Sequence, residues 1–404
     1  MDASTTIMLI IPNLGSGGAQ KVFRDQLAFF RTTRMKVIAV VFNWDGAFAE
    51  DKQSDIISLD VPAGSGMIDK MRCFNARIKK LRHLKREHHV THAISHLEGA
   101  DYVNLFSKHD EKIICWIHGS KKFDANITES LGVLRKKILI PFVYRRADRV
   151  VTVSRGIMDE LHDTFNVPLE KMQVIFNGFD LAEITRKSLI PLDADYETFA
   201  QKHFVLLTHC RLSLQKNVEG LLTLFSRLPR EGTKLVIIGD GELRDTLLRQ
   251  SRALNLNTYD VWSGAAWSEN FDVYFMGFES NPYPWLKASS LYVMTSNWEG
   301  FPLSLCEAMA CGMLTMSTDC FTGPREILAP ALDTKEQVAS PHFSDYGVLM
   351  PMLHDDKAFG QWVETIQKIG NAPEAFTNIA QNATTRIADF DALDIQQQWL
   401  KLIT

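Results

Sequence analysis

Short apolar runs alternating with longer amphipathic stretches constrain this chain more than any other feature. "IMLIIPN", "KVIAVVFN", "THAISHL", "KIICWIH" and "RVVTVS" follow one another in the first half. Each is too short for a buried helix and too uniformly apolar for a strand with one wet face, so each reads as a strand covered on both sides. Strands of that kind, separated by helical patterns, make a parallel sheet between two layers of helices. The rhythm halts at the polar stretch "LIPLDADYETFAQKH" and restarts with "HFVLLTHCRL", "TKLVIIGDG", "NFDVYFMGF", "SSLYVMTS" and "GMLTMSTD". The expected fold class is therefore α/β, with two Rossmann-like, doubly wound domains joined near residues 183 to 202. Residues 1–185 form the first domain and 200–385 the second, and "ALDIQQQWLKLIT" in 386–404 is a closing helix. The length of 404 residues agrees, because single cores stop growing at roughly 250 to 300 residues. Such sheets bind ligands beyond the C-terminal ends of their strands, so a ligand common to both domains is expected in a cleft that they face.

Composition removes several classes. With 46% apolar and 23% charged residues the chain has the balance of a soluble globular protein. No stretch approaches the roughly 18 uninterrupted apolar residues of a membrane helix. The start "MDASTTIMLIIPNLG" has no basic region, and its apolar run, ended by Pro12, is too short for a secretion signal. Cys73, Cys115, Cys210, Cys306, Cys311 and Cys320 are scattered without any CxxC pair, as expected of thiols in a reducing cytoplasm. The net charge of -4 hides an asymmetry: 24 Lys and Arg stand against 16 Asp and Glu in residues 1 to 150, and 20 against 32 in the rest. A cationic first half fits an anionic partner, a phosphorylated acceptor or an acidic membrane surface, and equally a solvated basic face. No RNP, zinc-finger or basic-aromatic motif supports a nucleic-acid partner.

Three strand-to-helix turns could hold phosphate. In "IPNLGSGGAQKVF", Gly15, Gly17 and Gly18 let backbone N–H groups approach an anion at the positive end of a helix, or simply make a tight turn. In "THCRLSLQKN", Arg211 and Lys216 follow a strand and could neutralise a diphosphate, the first as a planar fork and the second as a point charge, or could simply be surface charge. "IIGDGELRD" places Gly239 and Gly241 at a further turn. After them comes "NWEGFPLSLCEAMACG", where Glu299 precedes a helix that Pro302 is suited to open and Gly312 to close, and Glu307 lies inside it. Carboxylates accept O–H donors well and repel phosphate, so a ligand with both diols and phosphates, a sugar nucleotide, would satisfy acids and cations together. A helix-dipole partner and a satisfied buried acid would leave the same pair of residues.

The spacing E-x7-E with G-F-P inside it closely resembles the signature of retaining glycosyltransferase family 4, whose members have the two-Rossmann-domain GT-B fold. The resemblance extends along the chain through "GSGGAQKVF", "VTVSRGIMDEL", "VIFNGFD", "CRLSLQKN", "IGDGELR", "MGFESNPYPWLKAS" and "STDCFTGPREIL". It implies that Arg211 and Lys216 hold the donor diphosphate and that Glu307 holds the ribose. Glu299, with the backbone of Phe301, Pro302 and Leu303, would hold the donor sugar and its phosphate, and Gly239, Gly241 and Glu242 would line the donor site. Gly17 and Gly18 would touch the phosphates from the first domain, His118 in "CWIHGS" would face the transferred sugar, and the final helix would pack back on the first domain. Cys210, where a glycine commonly precedes the arginine, and Gln20, where a glutamate is common, depart from the pattern.

The implied reaction moves a hexose or N-acetylhexosamine from a nucleoside diphosphate sugar, by family weight a UDP-sugar, to a glycan or lipid-linked acceptor, with retention. Lipopolysaccharide, O-antigen, capsule or another surface polysaccharide is the implied product. A sugar-nucleotide epimerase on the same scaffold and a non-catalytic sugar-nucleotide-binding protein are the alternatives. No cofactor or metal is expected, because Arg, Lys and helix N-termini can stabilise the leaving phosphate. In "HHVTHAISH", alternation along a strand separates His92 and His96 from a compact chelate with His88 and His89, and "DAD" at Asp193 lies in the connection. For the acceptor, "DKMRCFNARIKKLRHLKREHH" carries Met71, Phe74, Ile78 and Leu81 as a helical stripe for the sheet. Lys70, Arg72, Arg77, Lys79, Lys80, Arg82, Lys85 and Arg86 lie mostly outside it. Residues 70–86 and the basic stretch 131–146 are expected to bring the domain to anionic lipid at the inner face of the membrane.

Overall fold

The computed structural model of the chain describes residues 5–15, 17–46, 55–123, 135–332 and 336–404. It divides into two compact units, one of Met1–Asn177 with Ile395–Thr404 and one of Gly178–Asp394. In the first, β1 (Thr6–Ile11), β2 (Lys36–Val41), β3 (Ile57–Ser58), β4 (His92–His96), β5 (Lys112–Ile117), β6 (Arg149–Thr152) and β7 (Met172–Val174) lie in the order β3-β2-β1-β4-β5-β6-β7. All of these pairings are parallel. The strand order reverses between β1 and β4, so the loops that leave these two strands border the crevice where such sheets take ligands. β1 is buried throughout, and the helix Gly18–Arg31 buries Val22, Phe23, Leu27 and Phe30 at helical spacing, with the polar Gln26 among them. The helix Ala392–Ile403 buries Ile395, Trp399, Leu400 and Ile403, and the Trp399 ring lies 4.5 Å from that of Trp116 on β5.

The basic helix Met67–Glu87 differs from its sequence reading. Met71, assigned above to the buried stripe, is 62% exposed, with Met67 and Ile68 exposed beside it. Its buried residues are Cys73, Leu81 and Lys85. Lys85, assigned above to the cationic outer face, is sealed inside with its Nζ 2.7 Å from the Glu111 carboxylate. The physical reason is Glu111, a buried acid that needs a counter-charge. Three further cations fasten the helix down: Arg77 donates to the carbonyls of Val61 and Pro62, Lys80 to that of Leu59, and Arg82 to that of Phe106. Lys70, Arg72, Lys79 and Arg86 remain exposed. Of the second basic stretch, residues 131–134 lie outside the described residues; Arg135–Leu139 form a π-helical turn that runs into the helix Ile140–Arg146.

The second unit carries β8 (Phe204–His209), β9 (Thr233–Ile238), β10 (Thr258–Asp260), β11 (Val273–Gly277), β12 (Leu291–Met294), β13 (Leu314–Thr318), β14 (His342–Ser344) and β15 (Gly347–Met350). Their order is β10-β11-β9-β8-β12-β13-β15-β14, with β14 antiparallel to β15 and the other described pairings parallel. Here the order reverses between β8 and β12, which brings the loops after His209 and Met294 to the crevice. The stretch read as a polar connection contains a helix, Ala194–Lys202, whose Tyr196 and Phe199 are buried within this unit. Tyr196 packs 4.1 Å from the Trp285 ring and bonds Ser289 through its hydroxyl, so two aromatics at i and i+3 outweigh the acids around them.

Candidate active site

The loop after β12 is pinned before its helix begins. Asn297 binds the chain at Leu214 and Gln215, Glu299 N–H donates to the Phe321 carbonyl at 2.9 Å, and Thr322 N–H donates to the Glu299 carbonyl at 3.1 Å. Gly323 has φ +93, and a Cβ there would lie 2.8 Å from both the Gly300 carbonyl oxygen and Pro302 Cδ, so only glycine lets this segment approach. The helix is Leu303–Ala310, with Pro302 at its N-cap, one residue earlier than the first-turn position read from the sequence. It ends two residues before Gly312, whose φ of +81 makes it the left-handed residue after the cap. The first N–H groups of this helix have no intrahelical acceptor and point out of its N-terminus.

Lys216 and Glu299 meet there, Nζ to Oε1 at 2.6 Å, and Gln215 Nε2 approaches the other Glu299 oxygen at 3.4 Å. The Glu299 carboxylate is buried. Burial works to lower the Lys216 pKa, but the Glu299 charge prevails and the ammonium is held above its ordinary value. The lysine thus stays charged beside a buried carboxylate, a cation positioned to meet another anion and an acid positioned to accept from hydroxyl groups.

The remaining second-unit residues fall into two groups. Arg211 Nε lies 3.1 Å from Glu242, and its side chain is 65% exposed. Gly239 and Gly241 stand under the β8 loop: a Cβ on Gly239 would fall 1.8 Å from the Cys210 carbonyl oxygen, and one on Gly241 2.4 Å from that of Leu212. These glycines let two backbones touch, and they bring the Arg211 loop against the turn that carries Glu242. Glu307 is buried deeper in the helix, with the Tyr283 hydroxyl donating to one oxygen at 3.3 Å and His209 Nδ1 3.7 Å from the other. Burial lowers the His209 pKa, opposed by Glu307 and reinforced by Lys216. His209 and Tyr283 were not among the residues singled out from the sequence, although His209 closes an apolar strand just before Arg211 and carries the same strand-end signal as His118.

In the first unit Gly17 is the N-cap of the helix that Gly18 opens, and the Gln20 side chain crowds it, its Oε1 2.4 Å from where a Gly17 Cβ would stand. Gln20 donates to Asn13 at 3.1 Å, and Arg24 reaches back to the Leu14 carbonyl at 2.6 Å, so the glycine loop is held from within. His118 follows β5. Burial takes its pKa down to about 3, with the Lys121 charge adding to the effect, so the imidazole is neutral. Behind it Glu160, in "SRGIMDEL", accepts from the Ser120 hydroxyl at 2.5 Å and from the N–H groups of Lys121 and Lys122 at 2.6 and 3.0 Å. A buried carboxylate with three donors fixes the loop that carries His118. Among the described residues no group of three or more His, Cys, Asp or Glu could hold a metal ion, and no helix is long and apolar enough to cross a membrane.

Residues 16–183 match the model of glycosyltransferase family 4, and residues 193–341 match that of glycosyl transferases group 1. An uncharacterized glycosyltransferase of Methanocaldococcus jannaschii is 27% identical over 311 residues, 72% of this chain and 71% of that protein. The N-acetylgalactosamine-N,N'-diacetylbacillosaminyl-diphospho-undecaprenol 4-alpha-N-acetylgalactosaminyltransferase of Campylobacter jejuni is 28% identical over 270 residues, 67% of this chain and 64% of that protein. In fold the chain resembles HepE from Anabaena, solved in complex with UDP and glucose, with a TM-score of 0.72, 18% identity and 98% of both chains covered. With two parallel-sheet units and a glycosyltransferase model matched in each half of the sequence, the chain belongs to the GT-B glycosyltransferases of the family 4 type.

Proposed function

We propose that this glycosyltransferase acts with retention, moving a hexose or N-acetylhexosamine from a UDP-sugar to a hydroxyl of a glycan or lipid-linked acceptor in surface-polysaccharide synthesis. One observation carries the reading: half-buried Lys216 pairs with buried Glu299 at the entrance of the Leu303–Ala310 helix, with Glu307 buried further in. A sugar nucleotide uses each of these groups. The ribose diol donates to Glu307, the diphosphate meets Lys216, Arg211 and the helix N–H groups, and the sugar hydroxyls donate to Glu299. The Gly17 and Gly18 loop and His118 then serve the donor phosphates and the transferred sugar. The C1–O bond to the diphosphate breaks, the acceptor oxygen bonds C1 on the same face, and the acceptor proton passes to the departing diphosphate oxygen. Positioning and charge stabilisation supply the catalysis, and no metal is needed. HepE, solved with UDP and glucose, supports the choice of UDP, and the diphospho-undecaprenol in the name of the Campylobacter enzyme supports a lipid-linked acceptor.

The chain works at the cytoplasmic face of the membrane in this reading. Exposed Met67, Ile68 and Met71 beside Lys70 and Arg72, and exposed Ile138 beside Lys136 and Lys137, support peripheral contact with anionic lipid. The test is nucleoside diphosphate release from UDP-glucose, UDP-galactose, UDP-N-acetylglucosamine, GDP-mannose and ADP-glucose, with and without EDTA, followed by the anomeric configuration of the product. Release that survives EDTA, is lost in Glu299→Ala and is weakened at limiting donor in Arg211→Ala supports the reading. Conversion of the donor sugar without transfer, or inversion, overturns it.

A further inference from the structure

The first unit contains a line of polar atoms that ends on His118 and whose other members the donor reading does not use. Gln26 sits in the apolar stripe of the helix Gly18–Arg31 and is 5% exposed. A buried amide needs a partner, and its Oε1 lies 2.9 Å from Nε2 of His96, the fully buried last residue of β4. His96 Nδ1 lies 3.0 Å from His118 Nε2, with the two rings stacked 5.1 Å apart and 13° from parallel. Trp116 flanks both rings and Phe23 meets the edge of His96. Three elements therefore join in one chain, from the interior of a helix to a strand end beside the reversal in the sheet.

Its proton arrangement follows from valence. An amide oxygen only accepts, so His96 Nε2 carries the hydrogen. A neutral imidazole has one N–H, so His96 Nδ1 accepts from His118 Nε2–H, and His118 Nδ1 is left with a lone pair. The rings are neutral: burial holds His96 well below the ordinary histidine value, reinforced by His118, and Lys121 is the charged group that acts on His118. We propose that Gln26 and His96 are positioning residues for His118, fixing its proton on Nε2 and holding Nδ1 as a permanent acceptor for one hydroxyl of the transferred sugar. The proposal rests on the reading that His118 faces that sugar. It deepens that reading by giving the site a preference for a neutral hydroxyl donor over phosphate, which has no proton to give at that position.

The tautomers are read directly, without substrate, by long-range nitrogen–proton correlation on the 15N-histidine-labelled full chain between pH 5 and 8. The expected result is Nε2–H on both His96 and His118 and no protonation in that window. Nδ1–H on both rings, as an amide turned end for end would give, or an imidazolium inside the window, overturns the proposal. Gln26→Glu sets a carboxylate beside His96, so His96 should titrate within the window and push the His118 proton onto Nδ1. Nucleoside diphosphate release with the best donor of the panel should then fall roughly tenfold on the acid side, the equivalent of one hydrogen bond, and recover at higher pH. Wild type should show no such limb. If His118→Ala costs tenfold or more and Gln26→Glu matches the wild-type profile, the positioning role falls while the role of His118 stands. If His118→Ala changes neither release nor the choice among donor sugars, the role of His118 falls and the proposal with it.

Discussion

Two lysine–glutamate pairs, Lys85–Glu111 in the first unit and Lys216–Glu299 in the second, close at nearly the same distance, 2.7 and 2.6 Å, and differ in everything around them. Lys85 Nζ also bonds the main-chain and side-chain oxygens of Asn104, so three oxygens surround its ammonium, and both side chains are sealed. Burial brings its pKa down to about 8 against the pull of Glu111. Lys216 keeps 18% of its side chain exposed, has the Glu299 pair among the described residues, and is held above its ordinary value. A sealed ammonium ringed by three oxygens has nothing to give a ligand. One with spare donors beside a helix N-terminus can take an incoming phosphate without first breaking the fold. The kind of residue does not separate structure from chemistry here; the donors left over do.

Substitutions test the contrast, the largest effect first. Lys85→Ala leaves Glu111 buried without its counter-charge and should lower unfolding stability by about 3–5 kcal/mol in denaturant titration. The double change Lys85→Met with Glu111→Leu should recover most of that loss. Lys216→Met should reduce nucleoside diphosphate release by about 10²–10³-fold, as removal of a preorganised charge does, with a smaller loss of stability than Lys85→Ala. If the two variants exchanged these phenotypes, the contrast would collapse. Arg211→Ala, at an exposed side chain, should change stability by less than about 0.5 kcal/mol. It should raise the donor KM roughly 10- to 100-fold, an effect that weakens as salt is added. The last test is in pH. Lys85 has a folded pKa near 8, below its ordinary value of 10.5, so between these values the unfolded chain binds more protons than the folded one. The Lys85 contribution to stability should therefore rise with pH across that window, as the difference between wild type and Lys85→Met.

Much of the architecture is legible in the residues because its signals are local. The apolar runs mark the longer strands, and E-x7-E around Gly300, Phe301 and Pro302 marks the helix entrance. What escapes is short or distant. β3 and β7 have two and three residues, too few for a period to show. Lys85 reads as a surface cation because Glu111, which draws it inward, belongs to another element, and the Lys216–Glu299 contact spans 83 positions. Gln26 did leave a trace, a polar residue in register with Val22, Phe23, Leu27 and Phe30. His96 reads from the sequence as a metal-ligand candidate, whereas its position at a buried strand end requires a hydrogen-bonding partner.

The Trp116–Trp399 contact has a consequence for how the molecule is made. The chain builds seven strands of the first sheet, leaves to form the second unit, and returns only at Ile395. During synthesis the face of Trp116 therefore waits uncovered while more than two hundred residues, Gly178–Asp394, leave the ribosome. A fragment ending at Asn177 would lack its cover and should expose that indole to solvent, while the same fragment supplied with residues 392–404 in trans should quench the exposure. The first unit is thus a sheet that starts early and is finished last.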